Sequence, residues 1–194
     1  MIRRTVAAVI LMAALGATPA LGSTISLGVT SPVHAGAPFD VVVQVSNVFA
    51  GRAIGDVLVA FGFDVAIGDP GIFQFVGATV GPLFAPLALG TPMVAGFALN
   101  PFGIGPGDFS GPLTLATLHF NALRAGGASI GVTWNSADLN QGLVYLDLPF
   151  GPIAASTTVQ SVASVPEPST VMLMIVPALG LLERARSARL RRRD

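Results

Sequence analysis

Few residues in this chain have the chemistry for a reactive site, and their spacing gives that chemistry little to work with. There are two histidines, His34 and His119, and no cysteine. A catalytic or metal-binding histidine needs partners that converge on it. His34 lies in the turn-rich stretch Ser31-Pro-Val-His-Ala-Gly36. His119 interrupts an apolar alternation and points opposite Leu118 and Phe120, which places it on a surface. Serines are plentiful, yet none sits in a Gly-x-Ser-x-Gly elbow. Gly103-Ile-Gly-Pro-Gly-Asp108 lacks the spacing of a phosphate-binding loop and reads as a turn. Asp64 and Asp69 bracket a short loop, but calcium takes roughly six to eight oxygens. With no lysine in the chain, a Schiff base, a P-loop and a Lys–Asn crosslink are all excluded. No catalytic residue, cofactor or metal site is therefore expected, and the chain reads as a non-enzyme. The candidate ligand contacts are aromatic. Tyr145 shares a strand face with Asp147, opposite Val144 and Leu146, and reads as exposed. Trp134 shares parity with Ile130 and Val132 and reads as core-facing.

The most specific chemistry lies at the C-terminus, where the residues suit a substrate better than a catalyst. Pro166-Glu167-Pro168 is followed by the apolar run Val171–Leu182, which includes Val171, Leu173, Ile175, Leu179 and Leu182. Six of the chain's ten basic residues then follow: Arg184, Arg186, Arg189, Arg191, Arg192 and Arg193. The prolines hold the tag extended and out of any helix. A helix over Val171–Leu182 would rise about 18 Å, against about 30 Å of bilayer hydrocarbon. That length favours a brief hold over a permanent span. The arginines resist translocation and mark a cytoplasmic stop. Motif, apolar run and arginine cluster in this order resemble the PEP-CTERM sorting signal, with Pro177 and Glu183 as departures from its usual pattern. The resemblance covers about the last 30 residues. It implies recognition and cleavage by an exosortase-type membrane protease.

The other terminus agrees. Met1-Ile-Arg-Arg4 is a basic start, Thr5–Ala17 a short apolar run, and Ala20-Leu21-Gly22 supplies small residues for a signal peptidase. Residues 1–22 are read as a signal peptide cut before Ser23, residues 165–194 as the sorting tail and residues 23–164 as the exported body. The formal net charge of zero conceals an asymmetry. The body holds only Arg52 and Arg124 against seven aspartates, so it lacks the basic face that nucleic acid requires. With no disulfide available, core packing must carry stability.

The body is expected to be all-β. Predicted strands cover Thr24–Val29, Pro38–Ser46, Asp56–Asp64, Ile72–Val80, Met93–Leu99, Pro112–Ala122, Ala128–Trp134, Gly142–Leu148 and Thr157–Val162. Phe39, Val41, Val43 and Val45 share one face of their strand, and Val57, Val59, Phe61 and Phe63 share one face of the next. Leu115 breaks parity with Leu118 and Phe120, which calls for a bulge or for burial on both faces. Gly81–Gly111 is apolar but broken by Pro and Gly. It reads as core or covering loop, or as a contact patch where exposed.

The sequence Val45-Ser-Asn47, then Val59-Ala-Phe-Gly-Phe-Asp64, Phe73-Gln-Phe-Val-Gly77 and Pro112-Leu-Thr-Leu-Ala-Thr-Leu-His-Phe120 resembles cohesin-type sandwiches. The resemblance implies an antiparallel jelly-roll of about nine strands. A signal helix and a C-terminal apolar helix are expected to flank it. No position matches a dockerin-contact motif. The expected function is adhesion or polysaccharide-matrix assembly at the cell surface or beyond it, through another surface protein or an extracellular polysaccharide. The alternative is a carbohydrate-binding module that uses Tyr145 and Trp134. Replacing Pro166-Glu167-Pro168 with three alanines should leave export intact and trap a longer, membrane-bound form, seen by intact mass and fractionation. Wild-type processing of that variant would leave a plain anchor as the tail's role.

Overall fold

The computed structural model describes residues 22–30, 32–89, 92–147 and 150–163. The expected signal helix, the Pro166-Glu167-Pro168 motif, the Val171–Leu182 segment and the Arg184–Arg193 stop all lie outside the described residues.

Alternation in the sequence becomes strands wherever one side can be buried. Eleven form, against the nine expected: β1 Thr24–Val29, β2 Val33–His34, β3 Pro38–Ser46, β4 Leu58–Ile67, β5 Phe73–Val80, β6 Phe84–Leu89, β7 Met93–Ala98, β8 Leu113–Ala122, β9 Gly126–Thr133, β10 Gly142–Tyr145 and β11 Ala155–Val162. They pair as a four-stranded sheet in the order β1-β3-β8-β5 and a seven-stranded sheet in the order β2-β11-β9-β4-β7-β6. β10 pairs with the edge of β4 that β9 leaves open. Every pair is antiparallel except β2–β11, which is parallel. β2 and β6 were not expected. β2 is only two residues long, too short for periodicity to show. β6 contains Pro86, which reads as a strand breaker but is tolerated because β6 is an edge. β10 stops at Tyr145, short of the expected Leu148.

β3 follows its alternation, burying Phe39, Val41, Val43 and Val45. Four register shifts interrupt the ladders among the described residues; one passes over Leu87 on the edge strand β6, and the other three handle sequences that break parity. On β8, Val43 pairs with Ala116 and Gln44 with Thr114, which passes over Leu115. Leu113 and Leu115 therefore face inward on one side of the bulge, and Ala116, Leu118 and Phe120 on the other. On β4, Val144 pairs with Ala60 and Tyr145 with Leu58, which passes over Val59. Phe61 and Phe63 are buried as expected, but Leu58 replaces Val57 and Val59 inside, because the extra residue reverses the face. On β5, Phe75 pairs with Phe120 and Gly77 with His119, so Val76 is extruded to solvent.

The core is one apolar layer between the sheets. Phe39 packs edge-on to Phe73 at 5.1 Å and stacks on Phe120 at 5.4 Å. Phe61 meets Phe84 edge-on at 4.8 Å and stacks with Phe63 at 5.8 Å. The 135–141 loop lies over the outside of β4, where a Cβ at Gly62 would run into the Asn140 carbonyl. Only glycine lets the loop approach this closely. Phe61→Ala and Phe120→Ala should each cost about 3–5 kcal/mol in denaturant unfolding, because both rings are fully enclosed. A loss under about 1 kcal/mol at either position would contradict the packing described.

Candidate functional site

Two places in the sandwich gather polar side chains. The first is the outer face of the four-stranded sheet, formed by the half-buried outward residues Asp40, Val42 and Gln44 of β3 and Thr114, Thr117 and His119 of β8. Antiparallel register sets Asp40 opposite His119, and Nδ1 of His119 lies 2.7 Å from Asp40 Oδ1. Nε2 of the same ring lies 2.9 Å from Thr79 Oγ1 on β5. The order Asp–His–Thr is that of an acid–base relay. The His119 and Asp40 side chains, however, are 40% and 44% exposed on an open sheet face. A hydroxyl there has no water-excluded pocket in which charge development would be stabilised. The arrangement instead joins three strands into a polar surface.

The second place is one end of the sandwich, where three segments meet. Asn47, with φ of 54°, turns the chain out of β3. The carbonyl of Val48 then accepts the Tyr145 hydroxyl at 2.6 Å. The Arg52 guanidinium stacks on the Tyr145 ring, 3.7 Å from its centroid, and approaches Asp56 at 3.9 Å. Asp56 is 2% exposed, and its Oδ1 accepts the backbone N–H groups of Val57 at 2.9 Å and Asp147 at 3.1 Å. These residues line a cavity of about 420 Å³ together with Gly22, Ser23, Asp147 and Pro152. Burial is the main cause that pushes the Tyr145 phenol up to about 12, and Asp56 adds to it against the opposing effect of Arg52.

Comparison with solved structures follows from this geometry. A cohesin module of a Clostridium perfringens family 33 glycoside hydrolase superposes with a TM-score of 0.53 at 11% identity, over 74% of this chain and 97% of that module. The fold is that of a cohesin module. The third cohesin of ScaC from Acetivibrio cellulolyticus, solved with the ScaB dockerin, gives 0.47 at 14% identity over 73% of this chain and 99% of that one. The second type II cohesin module of ScaA from the same organism gives 0.45 at 12% identity, over 75% and 92%. No protein-family model matches this chain, and no curated protein matches it.

Within this cohesin-module fold, His119 takes its expected surface place, and the Gly103 loop is a turn that carries Ile104 into a bridge with Leu58. Tyr145 departs from expectation. It is only 7% exposed, because it shares the inward side of β10 with Leu143 and its hydroxyl reaches the Val48 carbonyl at the end of the core. Its ring also carries Arg52, so it does not offer the open face that sugar stacking uses. Trp134 is half-buried against the core beside Gly142 and does not line the Tyr145 cavity. Asp64 accepts from Gln141, and Asp69 holds the Gly71 N–H and Arg124. Among the described residues no three metal-ligating side chains cluster. Sequence reasoning missed the Arg52–Asp56–Tyr145 cluster. Its only signal was two unlike charges four residues apart in an otherwise uncharged stretch.

Tyr145 is the chain's only tyrosine, so ultraviolet titration reads it alone. Phenolate absorbance of the folded protein should appear near pH 12 in place of the ordinary 10. With the folded value raised, the contribution of Tyr145 to stability should be constant below pH 10 and be lost as pH rises from there through 12. Titration at the ordinary value without unfolding would show the ring to be open to water.

Proposed function

We propose that this protein is an exported, non-catalytic binding module that holds another protein of the outer layer. Its C-terminal tail would deliver it to an exosortase-type membrane protease after a signal peptidase has cut before Ser23. The observation that carries the binding reading is the cohesin-module fold, combined with a partly exposed polar face on its four-stranded sheet. Asp40 and His119 are the only charged or titratable side chains on the β3 and β8 part of that face, and threonines, Gln44, Ser46 and Asn121 supply the remaining polar groups. Such a surface hydrogen-bonds a partner without a large desolvation cost. The apolar residues Leu87, Phe97, Leu99 and Phe102 are exposed near β6 and β7, which gives part of the Gly81–Gly111 stretch the character of a contact patch. Phe84 and Ile104 from the same stretch belong to the core. The tail supports surface delivery through the order of its motif, apolar run and arginines.

Thr117 stands at the centre of the polar face, opposite Val42 on one side and Thr79 on the other. Thr117→Arg should leave the unfolding midpoint nearly unchanged. It should weaken binding to a surface protein recovered with wild type from the producing cells by about tenfold or more. Unchanged affinity in that variant would remove this face from the binding reading. Specific retention on a glycan array, without any protein partner, would replace the reading with carbohydrate binding.

A further inference from the structure

The cavity at the Arg52–Tyr145 end is walled partly by Gly22 and Ser23, the two residues that flank the expected signal-peptidase cut. The charged and titratable groups around it are Arg52, Asp56, Tyr145 and Asp147. One guanidinium thus faces two carboxylates, and that guanidinium is already engaged with Asp56 and the Tyr145 ring. The excess is one negative charge.

We propose that this cavity is a binding site for a primary ammonium, and that its occupant is the α-ammonium of Ser23 created when the signal peptide is removed. The inference rests on the export reading. In the uncut chain the nitrogen of Ser23 is a neutral amide. After the cut it carries a positive charge and three donors on the wall of a cavity with surplus negative charge. Hydrogen bonds between ionised partners are the stronger kind, and a partly enclosed pair is screened less by salt than an open one. Capture of a chain's N-terminal amine by a shaped protein site is a recurring mode of recognition. The consequence is local to β1. Among the described residues that strand is the edge of its sheet, pairs only with β3, and begins at Thr24. Docking of Ser23 fixes the free end of this edge strand, so the sandwich closes fully only once the chain has been exported and cut.

Carboxylates facing the ammonium raise its pKa above the ordinary value of about 7.7–8.0. The stabilisation is therefore complete below that value and is lost as pH rises through the raised one. Tyr145 titrates far above this window, and no histidine lines the cavity.

The test uses the full chain exported by a bacterial host, with intact mass to read its N-terminus. Three forms are compared: wild type, an insertion of Ala-Ala between Gly22 and Ser23, and Asp147→Asn. The insertion keeps Ala20-Leu21-Gly22 in place but moves the ammonium about 7 Å along the chain. Between pH 7 and 9.5 the wild-type unfolding midpoint should fall by about 3 °C more than that of either variant. Coincident pH profiles from chains shown to have been cut after Gly22 overturn the docking while leaving export untouched. A mass showing that the chain still begins at Met1 overturns the export reading and the docking with it. Stabilisation of the mature wild type by millimolar ethylammonium would show the site to be open to outside amines and overturn Ser23 as its occupant.

Discussion

The fold depends on a single apolar layer shared by two sheets. The chain has no cysteine, so no covalent tie can compensate for poor burial. Phe39, Phe73 and Phe120 on one sheet face Phe61, Phe63 and Val94 on the other, all of them nearly or fully enclosed. Each strand must present its apolar side to this layer, and a one-residue slip would turn that side to water. The bulges at Val59, Val76 and Leu115 are the local response to this constraint. They let sequences that break alternation keep Leu58, Ala78 and Leu113 on the same side as their neighbours.

The end of the layer is closed differently, with charge. Asp56 is buried, and a buried carboxylate is costly unless its oxygens are satisfied. Two backbone amides and Arg52 meet that need and in doing so tie the loop after β3 to the end of β10. Tyr145 adds its hydrogen bond to Val48 across the same gap. The closure leaves a cavity whose wall includes Gly22 and Ser23, just before β1, so the chain's entry into the fold and the buried carboxylate of Asp56 share one enclosure.

The two sheets differ in what covers them. The seven-stranded sheet carries the 135–141 loop on its outside, anchored by Gln141 to Asp64 and admitted by Gly62. The β3–β8 face of the other sheet is partly exposed, and its side chains are mostly polar with little net charge. A surface of that kind suits a scaffold that holds partners, and the proposed sorting tail would put it where such partners are found. The Asp40–His119–Thr79 chain sets residues in catalytic order on an exposed sheet face, without the water-excluded surroundings that such chemistry uses.

The sequence by itself determined the sandwich class, the inward set on β3, the break in alternation at Leu115, open to a bulge or to burial on both faces, and the surface position of His119. These rest on a period of two residues, which is local and can be read from one strand at a time. It also carried the whole reading of the two termini, through composition and order. Tertiary structure alone decided what depends on register between strands distant in the chain. The pairing of Asp40 with His119 across 79 residues and the passing-over of Val59 opposite β10 have no local signal. Tyr145 is buried on the same side of β10 as Leu143, with its hydroxyl on a carbonyl 97 residues away; the strand ends at Tyr145, so the parity with Asp147 that placed it outside does not apply. Arg52, Asp56 and Tyr145 became one cluster only because closing the end of the core left a buried carboxylate that had to be satisfied.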